Sequence, residues 1–164
     1  MTPRVGQGFD AHRFAAGRVL RLGGVEIPHD RGLEGHSDGD VLLHAVTRAL
    51  LGALGAGDLG QHFPSSDERW RGASSALFVR EANRLVRQAG LAVGNLDATV
   101  IAEAPRLAPH QEAMRRSVAA LLEVLPRAVN LQLTSTDGLG AIGRCEGIAA
   151  QAVVLLVPAE GRGA

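Results

Sequence analysis

His36-Ser37-Asp38-Gly39-Asp40-Val41-Leu42-Leu43-His44 leads without a break into Ala45-Val46-Thr47-Arg48-Ala49-Leu50-Leu51-Gly52-Ala53-Leu54, and this stretch decides the fold. Ser37 followed three residues later by Asp40 has the spacing of a capping box, with Asp38 adding negative charge where a helix N-terminus favours it. The helix they open is expected over residues 38–54. Val41, Leu42, Ala45, Val46, Leu50, Leu51 and Leu54 spread round nearly every side of it. A helix apolar on all faces is a buried one, and burial in part against another subunit is expected here.

Outward from this helix the pattern alternates between strand and helix. On its N-terminal side, residues 5–9 read as a short strand that closes on Asp10-Ala11-His12. Residues 19–27 read as a second strand interrupted by Gly23-Gly24, and the Pro, Asp and Gly of residues 28–35 as loop. On its C-terminal side, residues 55–72 form a long polar loop, a length usually reserved for function. Residues 74–89 follow as a helix with one apolar stripe and Gly90 as its stop. Strands are expected at 96–102, 129–135 and 148–157, with a helix at 109–125 that has Pro109 near its start. The run at 148–157 is nearly continuous in apolar residues, so it belongs in the middle of a sheet. The expectation is an α/β (α+β) fold: a single domain over residues 1–158, a mixed β-sheet with helices mainly on one face, and a flexible tail at 159–164.

Chemistry gathers at both ends of the first loop. Asp10 and His12 lie two apart on a strand and point the same way, so a carboxylate and an imidazole can converge on one ion. Taken alone, Asp-x-His is common at strand-end turns. His44, on an otherwise apolar helix, is by default a satisfied core histidine. Asp40 lies four residues before it, which suits two roles: orienting the ring as a metal-binding histidine needs, or capping the helix. Both can hold. Two histidines and a carboxylate with one place left open match a catalytic zinc site.

Several alternatives fall away. Gly6-Gln7-Gly8-Phe9-Asp10-Ala11 fits the dinucleotide fingerprint G-x-G-x-x-A, but that motif must open a helix, and only residues 12–18 separate it from the next strand. The chain has no G-x-x-x-x-G-K-[ST] loop for ATP-type chemistry. Lys plus Arg and Asp plus Glu number 17 each, so no bulk field favours nucleic acid or an anionic membrane, and phosphate must be held by local geometry. The single cysteine, Cys145, forms no internal disulfide. With no apolar signal core after Met1-Thr2-Pro3-Arg4, and no run near the ~18 apolar residues of a membrane span, the expected location is cytoplasmic.

Taken together, Gly8-Phe9-Asp10-Ala11-His12, His36-Ser37-Asp38-Gly39-Asp40, His44, Gly57-Asp58-Leu59-Gly60, Phe63-Pro64, Ala104-Pro105-Arg106, Thr134-Ser135-Thr136-Asp137 and Gly143-Arg144 resemble the signatures of the 2-C-methyl-D-erythritol 2,4-cyclodiphosphate synthase family. The resemblance runs in order over essentially the whole chain. It implies cyclisation of 4-diphosphocytidyl-2-C-methyl-D-erythritol 2-phosphate with release of CMP, in the non-mevalonate isoprenoid route. It implies zinc (or manganese) on Asp10, His12 and His44. It further implies magnesium (or manganese) across the diphosphate on Asp137, where the family usually has Glu. His36 and Ser135 take its transition-state-stabilising positions, and Ser37 a substrate contact. The polyol would lie on Asp58, Leu59, Gly60 and the loop of Phe63, Pro64, Ser65, Ser66 and Asp67. Cytidine would be read by Ala102, Glu103, Ala104, Pro105, Arg106, Leu107 and Ala108, with Thr134, Ser135, Thr136 and Asp137. The resemblance also implies a homotrimer whose active sites are completed between subunits, with Ala141, Arg144 and Glu146 near its threefold axis.

Four residues depart from the family pattern. Ser65 stands where a carboxylate is usual, Arg106 replaces Lys, Asp137 is a methylene shorter than Glu, and Ala141 replaces a large apolar side chain. Two rival readings remain at this stage: a catalytically idle trimeric metal-binding scaffold and a generic zinc hydrolase.

Overall fold

In the computed structural model, which describes residues 2–159, seven strands and five α-helices follow one another along the described chain: β1 (Arg4–Ala16), β2 (Leu20–Leu22), β3 (Val25–Ile27), β4 (Arg31–Leu33), α1 (Val41–Leu54), α2 (Leu59–His62), α3 (Ala76–Gln88), β5 (Leu91–Ile101), α4 (Gln111–Leu122), β6 (Val129–Thr134), α5 (Gly140–Gly143) and β7 (Gly147–Pro158). The main sheet runs in the order β4-β1-β7-β5-β6. β5 and β6 are parallel and every other neighbouring pair is antiparallel, so the sheet is mixed. β7 lies at its centre, as its continuous apolar run predicts. β2 and β3 pair separately as a hairpin.

Side-chain alternation assigns the two faces. Gly6, Gly8, Asp10 and His12 on β1 point to the helices, as do Ile148, Ala150, Ala152, Val154 and Leu156 on β7. α1 covers this face, and its packing on β1 depends on two glycines. A Cβ on Gly6 would lie 2.0 Å from the Ala49 carbonyl oxygen, and one on Gly8 would lie 2.0 Å from that of Ala45. The glycines of the misleading dinucleotide fingerprint therefore serve close helix-on-strand approach. The opposite face of the sheet is open, with Val5, Phe9 and Val153 exposed.

Several expectations need correction. β1 does not end at Phe9: it continues to Ala16 by pairing with β7 and then β4, which puts Asp10 and His12 in mid-strand. The strand expected over residues 19–27 is instead the hairpin β2–β3, because Gly23 and Gly24 both adopt positive φ. α1 begins at Val41, not at 38. Its N-cap is Asp40, whose side chain accepts from the Leu43 N–H, and Ser37 plays no part in the cap. The supposed long loop contains α2, capped by Asp58 with a reciprocal Gln61 bond, and a 3-10 turn at Glu68–Trp70. Most consequential, α1 is buried within this one chain at every position from Val41 through Ala53 except Arg48 and Gly52, so its apolar surface needs no second subunit. The tail expected beyond 159 lies outside the described residues. Among those described, no helix is long and apolar enough to cross a membrane.

Candidate metal centre and flanking cavities

The close seat of α1 on β1 carries His44 to the strand. Gly6 lies beneath Ala49 and Ala53, and Gly8 beneath Ala45 and Ala49, so the next inward-facing positions, Asp10 and His12, come up against His44. His12 Nε2 is 3.1 Å from Asp10 Oδ2 and 3.0 Å from His44 Nδ1, and His44 Nδ1 is 3.0 Å from the same carboxylate oxygen. Tetrahedral zinc with bonds of about 2.0–2.1 Å sets its ligand atoms roughly 3.3 Å apart, so an ion fits after shifts of a few tenths of an ångström. Among the described residues this is the one cluster of three such ligands.

The tautomer of His44 is fixed from behind. Ser75 Oγ donates to Asp38 Oδ1 at 2.5 Å and lies 2.9 Å from His44 Nε2, with Ser37 Oγ 3.0 Å from the same nitrogen. Because Ser75 spends its proton on a carboxylate, it accepts from His44 Nε2–H, which leaves the Nδ1 lone pair facing Asp10 and His12. This corrects the orienting role expected of Asp40. The Asp40 carboxylate is fully buried and is consumed by the N–H groups of Gly23, Gly24 and Leu43. Capping is its role. Ser75 and Asp38 do the orienting.

With no ion, a proton on His12 Nε2 serves both neighbours. Burial opposes charge on His12, but the Asp10 carboxylate outweighs it and raises the imidazole above its ordinary value. Burial likewise pushes Asp10 up, yet the His12 hydrogen bond and charge prevail and hold the carboxyl well below its usual range. Metal must displace this proton. Affinity is therefore expected to fall about tenfold per pH unit once the pH drops below the raised His12 value, and to level off above it. Competition titration with a chelator across pH 5.5 to 8.5 checks this; a flat profile through about pH 6.5, the ordinary imidazole value, would contradict the assignment.

Around the triad, a cavity of about 220 Å³ is lined by His36, Ser37, Arg48, Leu59, Gly60, Phe63, Ser65, Trp70 and Phe78. Asp67 braces it: its carbonyl accepts from His36 Nε2 at 3.2 Å while its carboxylate pairs with Arg69. Asp58 spends one oxygen on the α2 cap. Pro64 and Ser66 adjoin this wall in sequence and are not among its lining residues. Arg48, Trp70 and Phe78 were missed from the sequence, although a lone charge one turn past His44 on an apolar helix was visible there.

A second cavity of about 330 Å³ lies between the β5 and β6 ends, lined by Ala102, Glu103, Pro105, Arg106, Leu107, Ala108, Thr134 and Ser135. Its rim is built by Glu103, whose Oε1 accepts from the N–H groups of Thr136 and Gly138 and from the Thr136 hydroxyl. Those backbone donors keep the Glu103 carboxyl below its usual range. The Ala104–Pro105 peptide is cis. Asp137 has φ 52 and accepts from Ser135 Oγ at 3.2 Å. Ala141 lines a third hollow with Ala11 to Phe14 and Glu146, and Arg144 pairs with Glu146 at 2.6 Å on its exposed side.

One chain does not bring these groups together. Ala11, Ala149, Ile101 and Thr134 are register partners across β1, β7, β5 and β6, so the triad and the second cavity stand three strand spacings apart, about 14 Å.

Fold and site together define an α/β domain with helices on one face of a mixed sheet and, where α1 meets β1, an Asp-His-His cluster with the geometry to hold a metal ion. The chain belongs to the YgbB family, whose model matches residues 3–157. It is similar to the 2-C-methyl-D-erythritol 2,4-cyclodiphosphate synthase of Alkalilimnicola ehrlichii, 60% identical over 93% of this chain and 94% of that one. The Xylella fastidiosa synthase of the same name is 56% identical over 93% of this chain and 87% of that protein. Among solved structures, a CDP complex of IspF from Plasmodium falciparum superposes with a TM-score of 0.86 at 31% identity, covering 97% of this chain and 98% of that one.

Proposed function

We propose that this protein converts 4-diphosphocytidyl-2-C-methyl-D-erythritol 2-phosphate into 2-C-methyl-D-erythritol 2,4-cyclodiphosphate and CMP, as a metal-dependent phosphorus–oxygen lyase of isoprenoid synthesis in the cytoplasm. The observation that carries this reading is the convergence of Asp10, His12 and His44 on one point inside a cavity whose other walls are suited to a small polyol. Asp10, His12 and His44 would hold zinc or manganese, which would neutralise diphosphate charge and polarise the phosphorus, and Asp137 would hold magnesium or manganese, which would neutralise further phosphate charge.

The chain's own groups set the geometry. Leu59, Gly60, Phe63 and Ser65 hold the polyol so that its 2-phosphate meets the β-phosphorus in line, and CMP leaves on the far side. His36, its Nε2–H held by the Asp67 carbonyl, lines the pocket beside the reacting phosphates, and Ser135 donates to an oxygen on which charge grows. A tethered nucleophile arrives already oriented, which favours cyclisation over attack by water. Two observations support a homotrimer with shared sites. The metal cavity and the cytidine cavity have no lining residue in common, and the open sheet face presents Val5, Phe9 and Val153 to solvent. A neighbour's Ala102–Ala108 segment would then complete the site.

Phosphorus NMR of the reaction mixture, with zinc and magnesium supplied, tests the chemistry. The expected products are CMP and the cyclic diphosphate in equal amounts. A linear diphosphate or inorganic phosphate as the main product would make the protein a hydrolase, and no turnover would leave a metal-binding scaffold.

A further inference from the structure

Arg48 lies one helical turn beyond His44, on the side of α1 that faces β1, with its Cβ close to Gly8. It is half-buried and lines the same cavity as the metal triad. Its Nε is buried without a hydrogen-bond partner. None of the ion pairs among the described residues includes it. Among the exposed arginines, Arg69 pairs with Asp67, Arg71 with Glu68 and Arg84 with Glu81, while Arg80, Arg106 and Arg127 have no ion-pair partner but stand in water; Arg48 differs from these in that its Nε is buried. A guanidinium keeps its charge and offers five N–H donors in a planar fork, so burying its Nε without an acceptor costs free energy that an anion in the cavity would offset.

We propose that Arg48 is a substrate-binding residue that holds the phosphate carried on the polyol arm and aims it at the diphosphate. This rests on the reaction proposed above. The triad and its ion meet the charge of the diphosphate, and the polyol lies against Leu59, Gly60, Phe63 and Ser65. The remaining dianion is the 2-phosphate, and Arg48 is the one permanently charged cation among the residues lining this cavity. Its fork spans two phosphate oxygens, which fixes direction as well as charge. α1 and the Gly8 contact hold the stem in place, so little ordering remains when the substrate binds.

The test compares two ligands on the zinc-loaded protein: the full substrate, and the same diphosphocytidyl polyol without its 2-phosphate, whose binding calorimetry reads directly. Arg48→Gln is expected to raise KM for the substrate about 10- to 100-fold, the loss expected for a charge-assisted bond. Binding of the ligand lacking the phosphate should change by less than about twofold, the spread usual for a substitution that touches no partner. Arg48→Lys keeps charge but not the fork, so it should recover part of the loss, and should show the same contrast even if the Gln variant folds poorly. Zinc content should remain one equivalent throughout. Equal weakening of both ligands, or an unchanged substrate KM, would overturn the proposal. Turnover by the unsubstituted protein judges the reaction separately: if there is none, the Kd of the full substrate by calorimetry takes the place of KM, and the same contrast between the two ligands is expected.

Discussion

His44→Ala is expected to lose zinc and, with it, at least about a thousandfold in turnover, well beyond the 10–100-fold typical when only an orienting partner is removed. The reason is geometric. His44 is the one ligand brought from outside β1, and without it the ion keeps two ligands on a single strand, too few for a stable tetrahedral centre. The variant should still fold. His44 is 5% exposed, so the change opens a small cavity and frees Ser37 and Ser75, a cost of about 2 kcal/mol by analogy with other large-to-small core changes. The α1 contacts to β1 and β7 stay in place. Metal analysis on the folded variant decides the matter: a full equivalent of zinc still bound would show that the ion sits elsewhere.

Gly8→Ala is expected to be among the most damaging single-methyl changes at the α1–β1 contact. The new Cβ would lie 2.0 Å from the Ala45 carbonyl oxygen and 2.7 Å from the Ala49 nitrogen, both backbone atoms of α1. A flexible side chain could swing aside, but a helix must move as a body. Overpacking of this kind costs on the order of 3 kcal/mol, which for a domain of this size corresponds to roughly 6–12 °C in Tm. A displaced α1 also carries His44 away from Asp10 and His12, so zinc affinity should fall together with stability. Differential scanning calorimetry and a zinc titration on the same sample check both effects. An unchanged Tm would mean that α1 does not rest on β1 at this point.

The sequence carried everything with a local period. Two-residue alternation pointed Asp10 and His12 to the same side, the all-apolar stretch marked α1, and the unbroken run at the C-terminal end identified β7 as the central strand. Separated motifs agreeing in order were enough to suggest the family. Boundaries fared less well where pairing extended them, as in β1, whose last residues are strand because β4 and β7 are there to bond them.

What no local pattern could decide was which group satisfies which. Asp40 at i−4 from His44 looked like its orienting partner, yet in the fold the hairpin glycines Gly23 and Gly24 reach that carboxylate first. The role passed to Ser75, 31 residues from His44, backed by Asp38 at a separation of 37. Likewise, α1 is apolar all round because β1, β7 and α3 surround it within one chain, not because a second subunit must. A helix or strand period depends on backbone geometry that each residue shares with its neighbours, so it is written in the sequence. Hydrogen-bond partners and burial are settled by whichever atoms the tertiary packing brings within about 3 Å, and that distance exists only once the chain has folded.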